Sequence, residues 1–101
     1  MNIIGITACT AGIAHTYMAQ AAIEKSAKEL GHTCKIETQG ARGIENELND
    51  MEIESADIVI IGADIRVDGM ERFEEKPVYE TSVSDCVSNP REVIEKAISL
   101  I

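Results

Sequence analysis

The chain has 101 residues, 45% of them hydrophobic, which fits one compact domain over residues 1–101 with a single core and leaves no length for a second. Its formal net charge of −9, from 18 acidic against 9 basic side chains, with one Phe, two Tyr and no Trp, argues against nucleic-acid binding by charge or by base stacking. No run reaches the roughly 20 apolar residues of a spanning helix, and three cysteines without a C-x-x-C pair argue against a disulfide framework and a zinc site, so a cytoplasmic protein without metal or cofactor is expected.

Asn2 to Ala8 is a short β-branched run that reads as a first strand. A helical pattern follows from about Thr16 to Leu30, where Ala19, Ile23, Ala27 and Leu30 recur at the spacing of one buried face, and Gly31 supplies a left-handed stop. Thr33 to Gln39 alternates like a half-buried strand, with Gly40 and Gly43 punctuating the loop after it. Asn49, followed three residues later by Glu52, resembles a capping box that opens a short helix. Asp57 to Ala63 carries the apolar run Ile58-Val59-Ile60-Ile61 of a strand covered on both faces. Asp68 to Phe73 is expected to form a helical turn, and Lys76 to Glu80 a strand that Pro77 confines to a start or an edge. A last helix is expected from Pro90 to Leu100, with Val93, Ile94, Ala97, Ile98 and Ile101 as its apolar stripe.

Strands alternating with helices predict an α/β fold: a four-stranded parallel sheet in the order 2-1-3-4 with helices on both faces, a Rossmann-like arrangement of three layers. Ligands of such sheets bind beyond the carboxyl ends of the strands where the order reverses, here between the first and third. The segment at that place is Cys9 to Thr16, CTAGIAHT.

That segment has the make-up of an anion site. The first amides of a helix lack intrahelical acceptors, and with the helix dipole they concentrate positive charge on whatever precedes them; the same field favours a thiolate, the reactive form of cysteine. Cys9 is therefore the candidate nucleophile. Gly12 lets consecutive N–H groups turn inward on one oxyanion, and Thr10, His15 and Thr16 add side-chain donors. Thr10, Ala11, Gly12, Ile13, Ala14, His15 and Thr16 together form the candidate phosphate cradle. Cys34, inside a strand, and Cys86, before the last helix, are expected to be structural. Gln39-Gly40 and Asp64-Ile65-Arg66 fall on the same sheet edge as Cys9, as partner surface or as ordinary turns.

Four segments, CTAGIAHTYMAQ, ELGHTCKIETQG, ADIVIIGADI and RFEEKPVYE, occur in an order and at spacings that resemble the enzyme IIB component, fructose type, of the bacterial phosphoenolpyruvate-dependent sugar phosphotransferase system. The resemblance implies a protein-phosphohistidine sugar phosphotransferase with a phosphocysteine intermediate. Enzyme IIA donates from a phosphohistidine to the cysteine matching Cys9, which passes the group to a sugar, fructose or a related hexose, held by membrane enzyme IIC. The resemblance also implies a phosphoprotein of sugar transport that docks at the inner face of the cell membrane through enzyme IIC. Where fructose-type members commonly carry a proline after the cysteine, this chain has Thr10 and then Ala11, which add a backbone N–H and a hydroxyl near the phosphate.

Two other readings compete. The spacing C-x-x-G-x-x-H-T from Cys9 to Thr16 is similar to the C-x-x-G-x-x-R-[ST] loop of low-molecular-weight tyrosine phosphatases, with Cys9 as the nucleophile. His15 cannot reproduce the bidentate grip of that loop's guanidinium. A flavodoxin-like binding module would need aromatic faces, and only Tyr17, Phe73 and Tyr79 are present.

Overall fold

In chain order the elements are β1 (Asn2–Ala8), α1 (Ile13–Glu29), β2 (Thr33–Gly40), β3 (Gly43–Glu45), α2 (Asp50–Ser55), β4 (Ile58–Ala63), a 3-10 turn (Met70–Phe73), β5 (Val78–Thr81), α3 (Val83–Ser88) and α4 (Pro90–Ile98). The structure, a computed structural model, describes residues 1–10 and 13–101.

The sheet has five strands in the order β3-β2-β1-β4-β5 and is mixed, which corrects the expected four-stranded parallel sheet. β1 runs parallel to β2 and to β4, and β4 parallel to β5. The unexpected strand is β3, which folds back antiparallel on β2, pairing Gly40 with Gly43 and Thr38 with Glu45. All three of its residues are exposed, so backbone pairing holds it without apolar burial and it leaves no alternating pattern to read.

Two apolar clusters sit on the two faces of the sheet. Alternation along β4 assigns its side chains: Ile58 and Ile60 join Ile3 and Ile36 beneath Ala19, Ile23 and Ala27 of α1, Val83 and Cys86 of α3, and Val93, Ile94 and Ala97 of α4. Val59 and Ile61 join Ile4, Ile6 and Ala8 with Leu48, Ala56, Val67 and Phe73 on the other face. Each fully buried isoleucine contributes roughly 1.5–3 kcal/mol, so the strands carry most of the hydrophobic drive. α2 buries none of its residues and depends on its ends instead. There the expected capping box is complete: Glu52 N donates to Asn49 Oδ1 at 2.8 Å, and Asn49 N to Glu52 Oε1 at 2.9 Å.

Other boundaries moved. α1 begins at Ile13 rather than Thr16, so the expected cradle is helix from Ile13 onward, and it ends before Gly31, whose φ of 85° is the left-handed stop. β5 begins after Pro77, because the proline cannot donate to the ladder while its carbonyl accepts from Val59 N at 2.9 Å. α4 ends at Ile98, leaving Ile101 outside the stripe and exposed.

Candidate functional site

The site forms where two parallel strands end together. Ala8 of β1 is in register with Ala63 of β4, and one more backbone bond, Asp64 N to Ala8 O at 3.1 Å, carries the pairing past the strands. Cys9 and Asp64 therefore leave the sheet side by side. Cys9 is only 8% exposed, and its Sγ donates to Asp64 Oδ2 at 3.5 Å. The other oxygen, Asp64 Oδ1, accepts from Val83 N of α3 at 3.2 Å. β1 has β2 on one side and β4 on the other, so this is the switch point of the sheet.

A cavity of about 390 Å³ opens over Cys9 and Thr10, walled by Gln39, Gly40, Ala41, Gly43 and Ile44 of the β2–β3 hairpin and by Ile65, Arg66 and Asp68 after β4. A larger hollow of about 570 Å³ shares Ile65, Arg66 and Asp68 but has no thiol in its lining. Arg66 lines the same cavity as Cys9.

The two walls are clasped to each other. Gln39 Nε2 donates to Asp68 O and Asp68 N donates to Gln39 Oε1, both at 2.8 Å. Gln39 Nε2 also donates to Glu37 Oε2 at 2.9 Å, and Leu48 N to Glu37 Oε1 at 3.0 Å. Arg72 grips the same carboxylate with both arms, at 2.9 and 3.0 Å, and reaches Gly69 O through Nε at 2.8 Å. Burial, the largest influence on Glu37, pushes its pKa up; Arg72, Gln39 and the Leu48 amide together outweigh it and hold the carboxyl below its usual range. The same pair raises Arg72.

Burial pushes the Cys34 thiol up to about 12, with Glu24 adding to it, and the Cys86 thiol up to about 12, with Asp85 and Asp64 adding to it. Both stay protonated, as side chains of the packed face do.

Of the expected cradle, Thr10 is exposed and lines the cavity. Ala11 and Gly12 lie outside the described residues. Ile13 opens α1, and Ala14 and His15 are exposed in its first turn. Thr16 is 2% exposed, and its hydroxyl has no hydrogen-bond partner among the described residues. Its carbonyl accepts from Thr7 Oγ1 at 3.1 Å, which ties α1 to β1. α1 has no acidic residue in its first turn, so nothing there opposes an anion.

Sequence reasoning placed Gln39, Asp64 and Arg66 on the right edge without seeing what they do. It missed the Glu37–Arg72 pair altogether, because nothing local couples residues in different elements. It also missed α3, whose signal was present: Ser82 Oγ accepts from Asp85 N at 3.1 Å, an N-cap legible as S-x-x-D.

A family model described as PTS system, lactose/cellobiose specific IIB subunit, matches residues 4–96. The fructose-like PTS system EIIBC component of Escherichia coli K12 is 48% identical over 91 residues, 88% of this chain but 19% of that protein. The PTS system fructose-like EIIB component 2 of the same organism is 45% identical over 95 residues, 94% of this chain and 90% of that protein. The chain thus spans about a fifth of the first relative and nearly all of the second. A crystal structure of a domain from the fructose-specific IIABC component of Borrelia burgdorferi superposes with a TM-score of 0.91 at 41% identity, covering 96% of this chain and 92% of that one. These likenesses give the phosphatase reading no support. With the family match running from β1 into α4 and full-length relatives at this identity, the chain belongs to the IIB family of the sugar phosphotransferase system.

Proposed function

We propose that this chain, acting as one domain over residues 1–101, carries a phosphoryl group on Cys9. It takes the group from a phosphohistidine of enzyme IIA and passes it to a sugar bound by membrane enzyme IIC, at the cytoplasmic face of the membrane. The observation that carries the reading is the position of Cys9: first residue past the central strand, at the switch point, opening into the cavity. Fructose or a related hexose is the substrate we favour, because relatives named fructose-like reach 45% identity over 94% of the chain. No helix among the described residues is long and apolar enough to cross a membrane, so contact with the bilayer falls to the partner.

Sulfur suits an intermediate carrier. Sulfur attacks phosphorus readily as its proton is removed and leaves readily when a sugar hydroxyl attacks in line from the opposite side. The phosphoryl oxygens would lie against Thr10, the first amides of α1 and the Arg66 guanidinium. The Thr16 hydroxyl, without a partner among the described residues, supports a further donor there, since a buried hydroxyl without an acceptor costs about 1–3 kcal/mol.

The test is phosphotransfer from labelled phosphoenolpyruvate through enzyme I, the phosphocarrier HPr and enzyme IIA. Wild type should gain one label that mild iodine removes, and Cys9→Ser none. A fully labelled Cys9→Ser protein sinks the mechanism.

A further inference from the structure

We propose that Asp64 is a catalytic residue of this transfer: it receives the Cys9 thiol proton as sulfur attacks phosphorus, holds it while the group is carried, and returns it when sulfur leaves. The inference rests on the phosphocarrier reading.

The geometry is specific to that task. Oδ2 already accepts from the Cys9 thiol at 3.5 Å, so the proton has a path needing no intervening group. Oδ1 is held by the Val83 amide, which fixes the carboxylate and leaves Oδ2 facing sulfur. The shared register of β1 and β4 sets the spacing of the two residues through the backbone.

Charge gives the reason. In the structure the Cys9 thiol donates to the Asp64 carboxyl group. Were the carboxylate to stay ionised beside a phosphoryl dianion, three negative charges would meet at nearly contact distance, one on exposed Asp64 and two on the phosphoryl group of buried Cys9. Proton transfer to Asp64 leaves two. In the forward step the S–P bond forms and the N–P bond of the donor phosphohistidine breaks. Its electron pair goes to that ring nitrogen, and because the donor ring already carries a proton on its other nitrogen before attack, it leaves as neutral imidazole. In the second step a sugar hydroxyl attacks, the S–P pair returns to sulfur, and Asp64 reprotonates the thiol. The hydroxyl proton goes to a base of the acceptor protein. Among the described residues, Arg66 and Asp68 line the same cavity and Asp85 and Cys86 of α3 lie next to Asp64, with the Cys86 thiol pushed up to about 12, while His15 is exposed in the first turn of α1.

Asp64→Asn separates this role from a structural one, because the amide oxygen can still accept from Val83 N–H while the group cannot take a proton. Phosphoryl uptake from labelled phospho-enzyme IIA should slow about 100-fold at pH 7. Its rate should then rise about tenfold per pH unit across the neutral range, as bulk water takes over the proton, whereas wild type stays flat. Uptake by Asp64→Asn within about threefold of wild type, with the same profile, would reduce Asp64 to a cap on α3. Wild type needs no variant for the second readout, the carboxyl carbon-13 shift of Asp64, which should move to the protonated position on phosphorylation. A shift still at the ionised position would overturn the proposal. Wild type that takes no label at Cys9 would instead remove the carrier reading beneath it.

Discussion

Replacing Arg72 with Met removes a guanidinium and keeps an apolar stem over Phe73, whose ring lies 5.0 Å from the Arg72 guanidinium carbon. The change strips the fully buried Glu37 carboxylate of its two shortest charged contacts, at 2.9 and 3.0 Å. Gln39 and the Leu48 amide still donate to it but carry no charge. Leaving a buried charge without its partner costs about 3–5 kcal/mol, and at about 4 °C or more per kcal/mol for a chain this size Tm should fall by about 12 °C or more. The pH dependence identifies the cause. In wild type the Glu37 pKa is lowered in the folded state, so its contribution is present above the unfolded carboxylate range and is lost as pH falls through the folded value. In Arg72→Met burial is no longer outweighed and the folded value rises above the unfolded one. The penalty is then greatest near neutrality and fades as pH falls toward the unfolded value. Urea unfolding of both proteins between about pH 4 and pH 7 should show the gap closing toward acid. Adding Glu37→Gln should recover most of the loss, since a buried pair replaced as a unit is nearly neutral. A loss below about 1 kcal/mol at pH 7, or two curves parallel in pH, would refute the reasoning.

Gly62 lies on β4 where any Cβ would collide with Cys86 Sγ, so Gly62→Ala should cost about 1–3 kcal/mol in chemical denaturation; Cys86→Ala, which removes the sulfur, should recover part of it in the double variant. If the two losses simply add, the collision is not the cause. Cys34 and Cys86, each pushed up to about 12, should resist iodoacetamide in the folded protein near pH 8 and react once it is unfolded in urea. Peptide mapping that finds either one alkylated in the folded protein at its unfolded rate would contradict the burial argument.

What the residues determined alone was what repeats or what is local. The face Ala19, Ile23 and Ala27 declares itself through helical spacing, the run Ile58 to Ile61 through unbroken apolarity, and the α2 cap through Asn49 and Glu52, and each lies where expected. Cys9 could be singled out in the same way, because a strand, a glycine and a helix start are neighbours in the chain. β3 was beyond reach: it buries no side chain, and only β2 offers its backbone a partner. The partners of the site were beyond reach for a related reason. Asp64 stands beside Cys9 because β4 inserts against β1 in a register set by the burial of both strands, and Arg72 finds Glu37 because the 3-10 turn packs over the sheet through Phe73. Hydrogen bonds and charge pairs between distant segments have no period in the sequence, so packing of the apolar faces decides which of them form.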